Sequence, residues 1–132
     1  MKNIMFVCRN RTYALMAEAW MRHYVGDAIA INSCGWEGNL SIQDVIQTMD
    51  EVDLHISMNN SQLLDDYQPN SFDAVVSLGS TSTRLPDDWM MRQFFDEWLL
   101  SPLEPSSINS YRQVRDEIKD HVEVMLMRLE IY

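Results

Sequence analysis

The chain has 132 residues, 46 % of them hydrophobic and 23 % charged, which is typical of a single globular domain spanning 1–132. Its 20 acidic and 10 basic residues give a formal net charge of −10, which repels phosphate backbones and anionic membrane surfaces. We therefore expect no nucleic-acid binding. The N-terminus carries no apolar signal region, and no apolar run approaches the roughly 20 residues that span a bilayer. These features predict a cytoplasmic protein with no membrane association.

The predicted elements alternate between strands and helices. The β-prone run 4–7 is continuously apolar, which is typical of a strand buried on both faces. In chain order the sequence predicts a strand over 4–8, a loop over 9–12, a helix that ends at Gly26 and a strand over 28–33. A second helix begins near Ser41 and runs through 45–49, and a turn or short helix follows over 61–66. The remaining predicted elements are strands over 72–78 and 94–99 and a helix from Ser107 to the C-terminus. This order predicts an α/β fold, a four-stranded parallel sheet with helices on both faces.

The loop between the first strand and the first helix is the predicted functional site. Ligands of parallel sheets bind beyond the carboxyl ends of the strands, and Cys8 lies at that point. Backbone N–H groups at a helix N-terminus attract anions and lower the pKa of a nearby thiol. Cys8 is therefore a candidate nucleophile facing an oxyanion, and the alternative is a small buried apolar side chain. The candidate anion-binding residues are Arg9, Asn10, Arg11, Thr12 and Tyr13.

Several segments along the chain carry a family resemblance: Ile4–Cys8, Met16–Ala19, Ser33–Gly35, Val75–Leu78, Leu85–Pro86, Phe95–Trp98 and Tyr111–Asp116. Through these segments the chain resembles the low-molecular-weight tyrosine phosphatases, in particular their thioredoxin-coupled arsenate reductase branch. The resemblance implies the parallel-sheet fold described above. It also implies that Cys8 occupies the place of the nucleophile and that Asn10 braces the loop.

The loop departs from the family pattern of Cys, five residues, Arg, then Ser or Thr. Counting from Cys8, Ala14 takes the Arg place and Leu15 the hydroxyl place. Aligning Met16 and the two residues after it instead makes the loop one residue short, with Tyr13 in the Arg place and Ala14 in the hydroxyl place. Neither alignment keeps the guanidinium that would clamp the anion.

Two further parts of the family's chemistry are missing from the sequence. The segment 78–84 contains no cysteine where the reductases carry a relay pair, and Ser101 precedes Pro102 where the family has an Asp as general acid. These losses predict a catalytically degenerate pseudoenzyme that acts as a protein-binding or regulatory domain for an unidentified protein partner. Two alternatives stay open. One is an active cysteine-dependent arsenate reductase or phosphatase in which Arg9 or Arg11 replaces the clamp. The other is a sensor that binds a phosphate-like oxyanion without turnover.

The remaining candidate groups give weaker signals. Cys34 is predicted to be a buried structural thiol, and the three histidines lie far apart at no metal-ligand spacing, so we expect neither a metal nor a cofactor. Most of the ten methionines are expected to fill the core, and an exposed cluster of Met90 and Met91 with Trp89 is the alternative that would suit a protein partner. For Cys8 we expect a lowered pKa if the loop is open, and a raised pKa if Tyr13 or Leu15 folds over it.

Overall fold

The computed structural model describes residues 3–36, 42–56, 63–82, 84–104 and 106–129. Its elements are, in chain order, β1 (Asn3–Val7), α1 (Thr12–Val25), β2 (Ala30–Cys34), α2 (Gln43–Asp50), β3 (Ala74–Gly79), α3 (Asp87–Met90), β4 (Phe94–Leu99) and α4 (Ile108–Arg128). Two short 3₁₀ turns, at Leu64–Asp66 and Pro69–Ser71, precede β3. The sequence did not predict α3 or the second 3₁₀ turn, since a single turn is too short to show a periodic pattern. Ser41, the predicted start of the second helix, lies outside the described residues.

The four strands form one parallel sheet in the order β2-β1-β3-β4. The central strand β1 is fully covered, with Ile4 and Phe6 at 0 % exposure, as its continuous apolar run predicted. The charged residues Asp96 and Glu97 lie on β4, an edge strand, where partial exposure to water is possible. The predicted α/β fold, a four-stranded parallel sheet with helices on both faces, is confirmed.

Two apolar cores cover the two faces of the sheet. The larger core holds buried residues from α1, α2 and α4, including Met16, Met49 and Ile118. The smaller core lies on the other face and includes Leu64 and Trp89. Trp89 is buried there, so it is not part of an exposed cluster, whereas its neighbour Met91 is exposed. Cys8 belongs to the larger core and Cys34 to the smaller one, which places the two thiols on opposite faces of the sheet.

The helices that pack on the larger core are amphipathic. On α4 the buried residues recur at steps of three and four, as the sequence pattern predicted: Tyr111, Val114, Ile118, Val122, Met125 and Leu126. Within the described part of the chain, no helix is both long enough and apolar enough to cross a membrane.

Candidate active site

The loop that joins β1 to α1 is held by hydrogen bonds to the end of β2. The backbone N–H of Cys8 donates to the Cys34 carbonyl oxygen at 3.2 Å, and the N–H of Trp36 donates to the Arg9 carbonyl oxygen at 3.0 Å. The N–H of Arg11 closes the turn by donating to the Cys8 carbonyl oxygen at 3.3 Å. The loop is therefore fixed from both sides before α1 begins.

Gly35 allows the loop to pack this closely against β2. A Cβ atom at position 35 would lie 2.7 Å from the Cys8 carbonyl oxygen, 2.9 Å from the Arg11 nitrogen and 2.9 Å from the Arg9 carbonyl oxygen. All three are backbone atoms, which cannot rotate away as a side chain can. The glycine in the segment Ser33–Gly35 is thus required by the close approach of the Cys8 loop.

Asn10 braces the loop from inside. Its Oδ1 accepts a hydrogen bond from the Thr12 N–H at 3.1 Å, and the Cys8 Sγ–H points to the same oxygen at 4.0 Å. This geometry matches the bracing role that the family resemblance implied for Asn10. Thr12, the first residue of α1, is buried.

Cys8 lies directly after β1, facing the first turn of α1. The Ala14 N–H donates to its Sγ at 3.4 Å. The side chain is only 1 % exposed, and this burial raises the pKa of Cys8 to about 11, although backbone N–H groups of Ala14, Tyr13, Arg11 and Asn10 act to lower it. Tyr13 and Leu15, the two residues expected to cover the loop in its closed state, are both buried. Burial favours the neutral thiol of Cys8 over the thiolate.

The two arginines of the loop point to different places. Arg11 has a left-handed backbone, with φ of 70°, and its Nε donates to Ser33 Oγ at 3.1 Å. Ser33 in turn donates to Glu18 Oε1 at 2.5 Å. The guanidinium of Arg11 is therefore directed to β2. Arg9 is exposed and borders the pocket described next.

A pocket of about 230 Å³ opens beside the Cys8 loop. Three segments line it: the start of α1 with its preceding loop, the end of β3, and the chain between β4 and α4. Its lining residues are Arg9, Asn10, Thr12, Tyr13, Leu78, Gly79, Ser80, Thr81, Pro102, Leu103 and Tyr111. Of the five candidate anion-binding residues, Arg11 alone is not among the described residues that border this pocket.

A hydrogen-bonded group behind the pocket was not found from the sequence. The Tyr13 hydroxyl donates to the Ser101 carbonyl oxygen at 3.0 Å. The Ser101 N–H and Oγ–H both donate to the Glu117 carboxylate, at 3.0 and 2.7 Å. Glu117 lies on α4 beside the buried Ile118, and no sequence spacing connects it with Ser101. The hydrogen bonds from Ser101 and Gln113 hold the pKa of Glu117 below its usual range, against the opposing effect of burial.

The side chains of the other candidate groups are not among the described residues that line this pocket. Cys34 is fully buried in the opposite core, and burial raises its pKa to about 12. His121 stacks on Trp98, and His55 contacts Asp50. Among the described residues, no three His, Cys, Asp or Glu side chains form a group that could hold a metal ion.

The chain is similar to arsenate reductases over nearly its whole length, although no protein-family model matches it. A glutaredoxin arsenate reductase of Synechocystis sp. is 32 % identical over 130 residues, covering 98 % of this chain and 99 % of the relative. The chain belongs to the arsenate reductases of the low-molecular-weight phosphatase fold. One solved arsenate reductase, in a phosphate-binding state, has a TM-score of 0.85 at 30 % identity, over 97 % of this chain and 98 % of that one. Another, in an oxidised state, has a TM-score of 0.87 at 29 % identity, with the same coverage.

This membership corrects the functional prediction. The pseudoenzyme interpretation, with its regulatory role and its preference for a non-enzyme, is wrong, because the relatives that match the chain from end to end are enzymes. The interpretation gave the missing Arg, Asp and cysteine side chains more weight than the backbone N–H groups around Cys8. The fold supplies those N–H groups, and a pocket beside them, without the missing side chains.

Proposed function

We propose that this protein is an arsenate reductase in which Cys8 is the nucleophile and the reducing thiols come from outside the chain. One observation carries the proposal: the Ala14 N–H at the start of α1 donates to Cys8 Sγ at 3.4 Å, beside an open pocket. The N-terminus of a helix favours the negative charge of a bound oxyanion at this point. The names of the full-length relatives support arsenate as the oxyanion.

The first step forms a bond between sulfur and arsenic. Cys8 Sγ attacks the arsenic atom of hydrogen arsenate, the bond from arsenic to its hydroxyl group breaks, and the thiol proton moves to the departing hydroxyl, which leaves as water. Because burial keeps Cys8 protonated, the thiol itself supplies this proton. Hydrolysis of a phosphate ester would need an acid for a poorer leaving group, and no carboxyl side chain is among the described residues that line the pocket. Arsenate reduction is therefore favoured over phosphatase activity.

The second step needs electrons from another thiol. An external thiolate attacks Cys8 Sγ, the sulfur–arsenic bond breaks with its electron pair passing to arsenic, and arsenite leaves as As(III). A second external thiolate then attacks the mixed disulfide and restores Cys8. The chain has two cysteines, and Cys34 lies on the opposite face of the sheet, so it cannot act as the second thiol without a rearrangement. In this proposal the predicted protein partner is a redox protein with a reactive thiol, and a small thiol can replace it. Such thiols are reduced in the cytoplasm, the proposed location.

Arg9 supplies the positive charge at the pocket in this proposal. It borders the pocket, whereas the Arg11 guanidinium is bonded to Ser33. A charge-assisted hydrogen bond to an oxyanion contributes about 1.5–3 kcal/mol, so Arg9→Gln should raise the KM for arsenate about ten- to hundredfold. Arg84→Gln is the matched control, because Arg84 is also exposed but is not among the described residues that line the pocket. An equal effect of both variants would refute the role of Arg9.

The direct test measures arsenite formed from arsenate in the presence of glutathione and a glutaredoxin. We expect turnover by the wild-type chain, none by Cys8→Ser, and turnover close to wild type by Cys34→Ala. A wild-type rate no higher than that of Cys8→Ser would overturn the proposal. If calorimetry then still shows arsenate binding to the wild-type chain, the protein is the anion sensor that the sequence left open.

A further inference from the structure

The Tyr13 side chain joins the three segments that form the pocket. It belongs to the first turn of α1, and its hydroxyl donates to the carbonyl oxygen of Ser101, between β4 and α4, at 3.0 Å. The side chain of Ser80, just after β3, and the backbone N–H of Leu103 also interact with the phenol oxygen.

The acceptor of the Tyr13 hydrogen bond is itself fixed. Ser101 donates twice to the Glu117 carboxylate, from its N–H at 3.0 Å and from its Oγ–H at 2.7 Å. Gln113, one turn earlier on α4, donates to Ser101 Oγ at 3.1 Å. The carbonyl group that receives the phenol is thus held by a long helix that packs on the core, so it does not follow small movements of the loop.

The Cys8 thiol is buried in the same structure that contains the hydrogen bond between Tyr13 and Ser101. Tyr13 borders the pocket and is 8 % exposed, while Cys8 beneath the same turn of α1 is 1 % exposed. A reacting atom has to approach sulfur to about 3–3.5 Å before a bond can form. A thiol with 1 % exposure offers no such approach, so the residues around it have to move before Cys8 can react.

We infer that Tyr13 is a positioning residue whose hydrogen bond to the Ser101 carbonyl holds the start of α1 in the position that separates Cys8 from the pocket, and that this bond has to break before Cys8 reacts. The inference rests on the proposed function, since it concerns the regulation of the same thiol. It attributes the separation of Cys8 from the pocket to one hydrogen bond, which joins the start of α1 to the segment before α4. A ligand or partner that displaces the phenol from Ser101 would activate the enzyme.

The experiment measures how fast iodoacetamide alkylates each cysteine of the folded full-length chain. Mass spectrometry of peptides follows Cys8 and Cys34 separately in the same sample. Tyr13→Phe keeps the ring and removes the hydroxyl. One neutral hydrogen bond corresponds to a change of about three- to tenfold in the closed-to-open ratio, so Cys8 should be alkylated about three- to tenfold faster. Tyr13→Ala, which also removes the ring, should increase the rate further.

Two controls separate this role from general loosening of the fold. Tyr24→Phe removes another α1 hydroxyl, which donates to Glu123 on α4 at 2.7 Å, and it should leave the Cys8 rate unchanged. Cys34 is fully buried in the opposite core, and its rate should stay the same in every variant. The inference is wrong if Tyr13→Phe leaves Cys8 unchanged, or if Cys8 and Cys34 become faster together.

A second variant keeps the test decisive if Tyr13→Phe does not fold. Glu117→Gln removes the charge that fixes Ser101 and leaves Tyr13 in place, so it should also increase Cys8 alkylation while sparing Cys34. Unchanged Cys8 labelling in this variant would then refute the inference. The arsenite assay distinguishes the two proposals. Faster labelling of Cys8 without wild-type turnover would refute the function alone, and Cys8-dependent turnover with unchanged labelling would refute the role of Tyr13 alone.

Discussion

Substitution of Gly35 by alanine tests how closely the Cys8 loop packs against β2. The added Cβ would lie 2.7 Å from the Cys8 carbonyl oxygen and 2.9 Å from both the Arg11 nitrogen and the Arg9 carbonyl oxygen. Ordinary contacts begin near 3.4 Å, so the loop would have to move by about 0.5–0.7 Å. Overpacking of this kind costs about 1–3 kcal/mol, and we expect Gly35→Ala to lower the free energy of unfolding by that amount.

The same displacement should reduce activity. The three crowded atoms belong to the loop that carries the N–H groups around the Cys8 sulfur. Misplacing reacting groups by close to 1 Å can reduce a rate by about a hundredfold, so arsenate reduction should fall about ten- to hundredfold. Urea unfolding followed by circular dichroism gives the stability, and arsenite formation gives the rate.

Gly26→Ala is the matched control. A Cβ at position 26 would meet nothing within 4 Å, but the backbone there has φ of +59°. A left-handed alanine costs about 1–2 kcal/mol, so this variant loses stability without touching the Cys8 loop. Its rate should therefore be unchanged under conditions where it is folded. If Gly35→Ala were as stable and as active as wild type, or if both variants lost activity equally, the packing argument would be wrong.

Three further predictions follow from burial and charge. Because the folded protein raises the pKa of Cys8 to about 11, it binds this proton more tightly than the unfolded chain does. The corresponding stability is present below pH 9 and is lost as the pH rises to 11. Between pH 9 and 11, the free energy of unfolding from urea titrations should therefore fall by about 3 kcal/mol less in Cys8→Ser than in the wild type. Identical pH profiles of the two proteins would contradict the raised pKa of Cys8. Glu51 pairs with Arg112 and Arg115, which lowers its pKa, so the small stability deficit of Glu51→Gln should shrink as the pH falls from 7 to 3, and a growing deficit would contradict the pairing. Ile118→Ala, at a fully buried position, should lose about 2–5 kcal/mol in the same titration, and a loss below 1 kcal/mol would show that the core closes over the gap.

The fold could be predicted because its signals are local and repeated. The apolar run of β1 is at 0 % exposure from Ile4 to Val7, and the buried positions of α4 recur at three and four residues. The charges of β4 are compatible only with an edge, and that strand lies at an edge of the sheet. In each case neighbouring residues carry the information, so a pattern is sufficient to place the element.

The site could be predicted only in part, because its contacts join residues distant in sequence. The place of Cys8 at the end of a strand could be predicted from the position of the loop, and the hydrogen bond that Asn10 makes within the loop from the family resemblance. Arg9 and Arg11 could not be distinguished, because the left-handed backbone at Arg11 sends its side chain to Ser33. The Tyr13 hydroxyl finds its acceptor in Ser101, 88 residues later. No spacing rule relates residues so far apart.

The side chains lost from the loop and the protonated state of Cys8 have a common physical cause. A thiolate buried beside α1 without a guanidinium would be an uncompensated charge, which is far more costly than a neutral thiol. The backbone N–H groups only partly oppose this cost, and the pKa of Cys8 stays near 11. Tyr13 fits such a site, because a phenol donates its proton to the Ser101 carbonyl and needs no anion beside it. A neutral thiol is therefore the stable resting state of Cys8. In the proposed reaction, the arsenate oxyanion brings its own charge and accepts the thiol proton.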